Sequence, residues 1–149
     1  MNQGIAGKLL TIFFGIGLLL LSSCAGIKYN AGTVSHANSI SAQTYSLIDR
    51  SSSDFVSSAP QIQQLKDSFQ MAINFEVVRG KSNYATINMW KLIDKYIECD
   101  FLGVWSKDHK LGQNAVDELK KRLSKNFDYI KSFEENKVNG PSDVNKKSN

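Results

Sequence analysis

Cysteine, proline and histidine are scarce in this chain of 149 residues, which holds two of each. The histidines and cysteines show no Glu-x-x-His, His-x₃-His or Cys-x-x-Cys spacing, which argues against a zinc site, a di-iron bundle and c-type haem attachment. We therefore expect neither a metal nor a cofactor. The shortage of proline, together with only ten glycines, favours long regular elements.

Charge of either sign is also modest. Charged residues make up 21% of the chain and the net charge is +4, while hydrophobic residues make up 42%. These values are close to globular averages and exclude a wholly disordered or collagen-like chain. The length suits one ordinary domain and not two. The apolar residues are unevenly spread, however, and the N-terminal segment stands apart from the rest.

An uncharged apolar run of thirteen residues occupies positions 9–21, which read LLTIFFGIGLLLL. As a helix this run would be about 20 Å long, since each residue adds about 1.5 Å. A membrane-spanning helix needs about 20 residues, so the run has the length typical of the apolar region of a signal peptide. An uncleaved anchor helix is the alternative. Both interpretations predict that the bulk of the chain is exported.

The residues at the end of this run, Leu21-Ser22-Ser23-Cys24, resemble the lipobox of bacterial lipoproteins. The resemblance implies that the Cys24 thiol accepts a diacylglycerol group and that a membrane protease cleaves between Ser23 and Cys24. Residues 1–23 would then be a signal peptide, and the lipid on Cys24 would hold the protein at the membrane. Two acyl chains give firm anchoring, because burying each CH₂ contributes about 0.8 kcal/mol.

The position after the lipobox cysteine steers sorting in this class, and here it is Ala25 rather than Asp. Ala25 therefore implies the outer membrane, with the protein facing the periplasm, if the source is Gram-negative.

Residues 24–35 contain two glycines and no apolar periodicity, so we expect a flexible tether after the lipidated cysteine. Residues 138–149 contain Gly140-Pro141 and few apolar side chains, so we expect a disordered tail.

Apolar residues recur at helical spacing through most of residues 36–137. No alternating strand pattern and no internal repeat is evident. We therefore predict an all-α fold, an antiparallel up-down-up-down bundle of about four helices. A three-helix core with the first helix detached is the alternative. The four predicted helices span residues 36–57, 60–79, 83–101 and 113–135.

Particular residues mark the ends of the predicted helices. Pro60 suits the first turn of the second helix, because its missing N–H costs little there. Gly80 suits the position after that helix, and Ser82 is the expected N-cap of the third. The third helix carries two apolar strips, so we expect it to be the most buried. Cys99 belongs to the second strip and should be covered; an exposed Cys99 would instead tend to pair between chains.

Two carboxylates interrupt these apolar patterns and are candidate functional acids. Glu76 falls within the apolar stripe of the second helix, and Asp100 falls between the two strips of the third. A buried charge is costly unless it is paired. The alternative is that both carboxylates lie at helix ends and reach water. We expect them to lie about 21 Å apart along the bundle, too far to share a proton.

The connection over residues 102–112 holds Trp105 and His109 and is the candidate binding loop. A tryptophan on a loop can anchor a partner, although it can equally cap the end of the bundle. Asp100 with His109 could act as an acid–base pair, and Cys99 with His109 as a nucleophile pair. Neither pair has a supporting motif.

Because no catalytic constellation stands out, we expect a non-enzymatic, lipid-anchored envelope protein whose partner is another envelope protein or polymer. A helical binding module for a small apolar or anionic ligand is the alternative, and an acid–base enzyme is a third hypothesis.

The basic run at residues 120–125 would suggest nucleic acid in a cytosolic protein, but export removes that partner. We interpret the run as a solvated helix face or a contact with anionic lipid or glycan phosphates.

Overall fold

The structure, a computed structural model, describes residues 29–137, and every regular element in that range is helical. In chain order the elements are α1 (Ala31–Arg50), a 3₁₀ turn (Val56–Ser58), α2 (Ala59–Val78), a 3₁₀ turn (Lys81–Asn83), α3 (Tyr84–Tyr96), a π-helix (Ile97–Leu102), α4 (Gly103–Asp108) and α5 (Gln113–Asn136). The segment from α3 through the π-helix to α4 is unbroken, and we call it the composite helix. The predicted all-α fold with four helices is therefore confirmed.

Three predicted segments lie outside the described residues: the signal peptide over residues 1–23, the lipidated Cys24 and the tail over residues 138–149.

The first helix begins earlier than expected. Helix α1 starts at Ala31, so the last five residues of the predicted tether are helical. The side chain of Asn30 accepts a hydrogen bond of 2.6 Å from the Gly32 N–H, which caps the helix where the sequence gives no apolar signal. The same helix ends at Arg50, seven residues before the predicted end.

Helices α2 and α5 agree with the predicted ranges to within one residue at each end. Pro60 lies in the first turn of α2, as predicted. Gly80 follows α2 with φ +95°, a backbone conformation that glycine adopts at little cost. Ser82 lies within the second 3₁₀ turn, and the residue that precedes α3 is Asn83, so the predicted N-cap was one position too early.

The loop predicted over residues 102–112 is largely helical, because the composite helix continues to Asp108. The π-helix makes one wide turn in which the Gly103 N–H donates to the Glu98 carbonyl. A Cβ at Gly103 would lie 3.0 Å from that carbonyl oxygen, so glycine suits the close approach of the two turns. Trp105 consequently lies in α4 and is fully buried.

The core fills the space between the apolar faces of the helices. Helix α1 packs against α2 and α5, and α2 packs against α3. Ring contacts cross these interfaces: Phe69 meets Trp90 edge-on at 6.0 Å between centroids, and Tyr45 meets Phe127 at 6.4 Å. The largest fully buried side chains are Trp90, Trp105, Phe69, Phe101 and Phe127.

Gly32 is a point where α1 and α2 approach closely, and we predict that Gly32→Ala destabilises the protein. An added Cβ would lie 2.6 Å from Phe75 Cζ and 2.8 Å from the capping Oδ1 of Asn30, so one of them must move. Overpacking of this kind costs about 1–3 kcal/mol. Thermal unfolding followed by far-UV circular dichroism measures the loss.

Gly112→Ser is the matched control. A Cβ at Gly112 has no neighbour within 4 Å, its backbone is extended (φ −75°, ψ 155°), and serine is a favoured N-cap. We expect its stability to be unchanged or higher. Equal destabilisation by both substitutions would contradict the close approach at Gly32.

Candidate functional site

Glu76 is fully buried at the end of α2 and is held by a complete network of polar contacts. The Thr33 hydroxyl, from the first turn of α1, donates to Glu76 Oε1. Arg79 Nη1 donates to Glu76 Oε2 at 2.7 Å and to Thr33 Oγ1 at 3.1 Å. The Arg79 guanidinium also lies over the Phe75 ring, 5.6 Å from its centroid. Glu76 is therefore neither a free acid nor a group that reaches water at a frayed helix end.

Glu134 has the same surroundings at the end of α5, and the sequence interpretation did not single it out. It is fully buried. The Thr86 hydroxyl, from the first turn of α3, donates to Glu134 Oε1 at 2.9 Å. Lys137 Nζ donates to Glu134 and, at 3.1 Å, to Thr86 Oγ1. The ammonium lies 5.0 Å from the centroid of the Phe133 ring. Glu134 Oε2 has no hydrogen-bond partner among the described residues.

The two networks reveal a repeat that was not evident in the sequence. Phe-Glu-x-x-Arg at residues 75–79 corresponds to Phe-Glu-x-x-Lys at residues 133–137. The buried positions preceding each motif also share their spacing: Leu65, Phe69, Ala72 and Glu76 match Leu123, Phe127, Ile130 and Glu134. In the helices that face them, Thr33, Ala37, Ile40, Thr44 and Ile48 match Thr86, Trp90, Ile93, Ile97 and Phe101.

These networks lie at one end of the molecule, which we call the triad end: the first turns of α1 and α3 and the last turns of α2 and α5. The turn between Val78 and Tyr84 joins the two networks along the chain. Removing one partner from a buried ion pair typically costs about 3–5 kcal/mol, because the other charge is left buried. The arrangement therefore holds the helix ends together and fixes their register.

The opposite end of the molecule is closed by aromatic side chains. Trp105 stacks on Phe101 with 5.6 Å between centroids and meets Phe55 edge-on at 5.2 Å. Its Nε1 donates to the Ser53 carbonyl at 3.0 Å, and Leu111 N–H donates to the Ser51 carbonyl at 2.8 Å. Trp105 thus lies in the core and caps this end, the second of the two interpretations considered for it.

The other candidate residues lie on the surface. Asp100 is exposed on the π-helix rather than buried between two apolar strips. His109 is exposed after α4 with φ +61°. Cys99 is an exposed free thiol, contrary to the expectation that it is covered. The residues that line the grooves beside Asp100 and beside Cys99 do not include His109, so these grooves bring together neither of the proposed pairs.

An open groove of about 280 Å³, which we call the side groove, runs between α3 and α5. Its lining is apolar apart from one amide and two phenol hydroxyls, and it leaves Leu92 67% and Tyr129 62% exposed. The second apolar strip of the third helix, expected to be buried, forms one wall. The lining residues are Met89, Leu92, Ile93, Tyr96, Asn126 and Tyr129.

Charged groups flank the side groove without entering its centre. Arg122 Nε donates to Glu118 Oε1 at 2.8 Å, and this contact lowers the pKa of the Glu118 carboxyl. Hydrogen bonds to Glu118 and Tyr96 raise the pKa of Arg122. Tyr96 also lines a neighbouring groove of about 300 Å³ that contains Asp100. The apolar centre of the side groove is thus bordered at one end by an ion pair.

On the α2 side of the composite helix, the charges form a separate cluster. Lys66 Nζ lies 2.9 Å from Glu98 Oε1. Burial raises the pKa of Asp94, and the charge of Glu98 raises it further, while Lys66 acts in the opposite direction. This cluster links α2 to the π-helix and has the character of a surface ion-pair network.

No family model, curated protein or solved structure matches the chain. Among residues 29–137, no three His, Cys, Asp or Glu side chains are grouped so that they could hold a metal ion. Within that same range, no helix combines the length and the apolar character needed to cross a bilayer.

We predict that Thr33→Val and Thr86→Val each destabilise the protein by about 1–3 kcal/mol, because each leaves a buried carboxylate without its hydroxyl donor. For a domain of about 100 residues this corresponds to a fall in Tm of roughly 4 °C or more. Thermal unfolding followed by circular dichroism measures the change.

Thr44→Val is the control for these two substitutions. Thr44 is equally buried, but its hydroxyl bonds only to the Ile40 carbonyl of its own helix, at 2.7 Å. That carbonyl keeps its backbone partner, so we expect a much smaller effect. If Thr44→Val costs as much as the other two, the carboxylate networks do not carry the stability that we assign to them.

Proposed function

We propose that this chain is a lipid-anchored bacterial envelope protein that catalyses no reaction and acts as an interaction component for another envelope protein or polymer. The lipid on Cys24 would attach it to the membrane. With Ala25 after the lipidated cysteine, the outer membrane facing the periplasm is the proposed location in a Gram-negative source.

The observation that carries this proposal is the sequence Leu21-Ser22-Ser23-Cys24 at the end of an uncharged thirteen-residue run. Each part has a chemical role in lipoprotein maturation. The run is too short to span a bilayer comfortably, the small serines suit cleavage, and the Cys24 thiol is the nucleophile. No other cysteine lies near the apolar run, since Cys99 lies far along the chain.

We propose an antiparallel up-down-up-down arrangement for the four helices. Thr33 at the start of α1 bonds Glu76 at the end of α2, and Thr86 at the start of α3 bonds Glu134 at the end of α5. A contact between the start of one helix and the end of the next is expected when the two run in opposite directions. The short connections between the helices support the same arrangement.

A non-catalytic role is supported by where the titratable groups lie. Glu76 and Glu134 are fully buried and engaged by Thr33 and Thr86, so a substrate could reach them only if the bundle opened. Asp100 is exposed, and the groove that it lines does not include His109. A general acid or base must lie within hydrogen-bond reach of the proton that it transfers, and within residues 29–137 neither the buried glutamates nor Asp100 with His109 offer a substrate such a pair.

The side groove is the surface that we assign to partner binding. Exposed apolar side chains that lie together commonly mark an interaction site, and Leu92 and Tyr129 line the groove while remaining largely exposed. A small ligand is normally buried over about 70–90% of its surface, which an open groove between two helices cannot provide. The groove therefore suits the apolar face of a partner protein better than it suits a small apolar ligand.

We predict that Cys24→Ser abolishes lipidation, whereas Cys99→Ser leaves it unchanged. A serine hydroxyl is a far poorer nucleophile than a thiol at neutral pH, so diacylglycerol transfer should fail and the signal peptide should remain attached. Metabolic labelling with a palmitate analogue, combined with detergent phase partitioning, measures both effects.

Cys99→Ser is the matched control, because Cys99 is an exposed thiol in the helical domain. Label retained in Cys24→Ser, or lost in Cys99→Ser, would overturn the lipoprotein assignment and favour an uncleaved anchor helix.

We predict that Leu92→Glu abolishes partner crosslinking without unfolding the bundle. Loss of a central apolar contact typically weakens an interface by about 2 kcal/mol or more, and a charge in an apolar groove adds a desolvation cost. Envelopes from cells carrying each variant are gently crosslinked, and the recovered complexes are compared.

Met71→Glu is the control, because Met71 is 58% exposed on α2 and outside the side groove. We expect one crosslinked species with the wild type and with Met71→Glu, and none with Leu92→Glu. The same species recovered with all three proteins would exclude the side groove as the partner surface, and recovery of the wild type alone would contradict the interaction role.

A further inference from the structure

The turn between α2 and α3 exposes apolar side chains at the triad end. Val78 is 87% exposed and Tyr84 is 67% exposed, with Val77 beside them. Lys81 lies between them on the 3₁₀ turn and is exposed as well. We call Val77, Val78, Lys81 and Tyr84 the turn patch. A patch of valines, an aromatic phenol and a lysine matches the composition of protein surfaces that rest in a lipid headgroup layer.

The connections at the opposite end have a different character. The exposed residues between α1 and α2 include Ser52, Ser53, Asp54 and Ser57, with Val56 as the exposed apolar exception. The exposed residues that end α4 and follow it are polar: Ser106, Lys107, Asp108, His109 and Lys110. The exposed side chains of the turn patch are thus mainly apolar, whereas those of the connections at the other end are mainly polar. The interiors differ in the opposite sense, since buried ion pairs lie at the triad end and packed aromatic rings lie at the other.

The N-terminal end of the described chain lies at the triad end. Thr33, two residues into α1, contacts Glu76 and Arg79, which are neighbours of Val77 and Val78 in sequence. Only five peptide units separate Cys24 from Tyr29, the first described residue. Five units reach at most about 18 Å when fully extended. A lipid on Cys24 would therefore keep the triad end close to the bilayer surface.

We infer that the turn patch rests in the phospholipid headgroup layer of the bilayer that holds the Cys24 lipid. The valines and Tyr84 would enter the boundary between headgroups and acyl chains, and Lys81 would contact lipid phosphates. The bundle then stands on the membrane with its helices away from the surface plane, and the side groove faces laterally. This inference rests on the proposed lipid anchor.

The experiment uses the lipidated protein with Cys99→Ser, reconstituted in vesicles of three parts phosphatidylethanolamine to one part phosphatidylglycerol. A single NBD fluorophore is attached at Val78→Cys or at Ser57→Cys. Both positions are exposed, and helix α2, which separates them, is about 30 Å long. Headgroup-spin-labelled lipid is then added, and circular dichroism and flotation check folding and membrane attachment.

We expect the fluorophore at position 78 to shift to shorter wavelength and to lose about half of its intensity or more to the spin-labelled lipid. The fluorophore at position 57 should keep its full intensity. Equal quenching at both positions, or none at position 78, would overturn the inference. So would a fluorophore at position 78 that is shielded from aqueous iodide but unquenched by lipid, since residues 138–149 or another protein would then cover the turn patch.

Flotation and quenching distinguish loss of the lipid anchor from loss of the contact between the turn patch and the headgroup layer. Protein that does not float with the vesicles lacks the lipid anchor, and both the proposed function and the turn-patch inference are then wrong. Protein that floats but leaves position 78 unquenched retains the anchor and refutes only the contact of the turn patch with the headgroup layer.

Discussion

Two buried carboxylates, each held by a threonine from the facing helix and by a cation one turn further along its own helix, set the register of the whole bundle. Glu76 and Glu134 could not remain buried without these partners, because an unpaired charge in a protein interior is strongly destabilising. The buried residues that precede the two carboxylates have the same spacing in both helices. Fixing one end of each helix pair therefore also aligns the buried residues along the rest of that pair. In the arrangement that we propose, the same design occurs twice, in α1 with α2 and in the composite helix with α5, and the turn after Gly80 joins the two pairs.

Apolar spacing predicted α2 and α5 closely because each carries a single apolar stripe along most of its length. It failed where polar contacts decide the structure. The start of α1 depends on the Asn30 cap and the buried Thr33, and neither gives an apolar signal. Apolar spacing does not reveal Glu134, because the neighbouring Phe133 continues the apolar pattern of the helix, whereas in the structure the phenylalanine is half-buried and the carboxylate is buried. The two Phe-Glu-x-x-cation segments are too short to stand out as a repeat in the sequence, and only the buried networks around Glu76 and Glu134 identify them as one. The spacing of apolar residues could not predict that the helix continues to Trp105. The wider turn of the π-helix shifts the 3.6-residue periodicity that such a prediction uses.

The contrast between the two ends connects this architecture to the proposed function. Polar networks close the interior of the triad end, so the turn patch on its outer surface can be apolar without weakening the core. Aromatic packing around Trp105 closes the other end, so its outer surface can be polar and solvated. A lipid anchor on the first of these ends and a laterally open side groove would let one small bundle attach to a membrane and present an apolar surface to a neighbour. In this arrangement the stability of the bundle and its binding surface depend on different residues.

Peptide mass spectrometry of the protein purified from bacterial envelopes tests the lipid anchor most directly. Trypsin cleaves after Lys8 and Lys28, so the lipidated protein should yield an N-terminal peptide of residues 24–28 with a diacylglyceryl thioether on Cys24. An unmodified peptide of residues 9–28, running from the apolar segment through an intact Ser23–Cys24 bond, would contradict the account and show that the chain keeps its N-terminal segment.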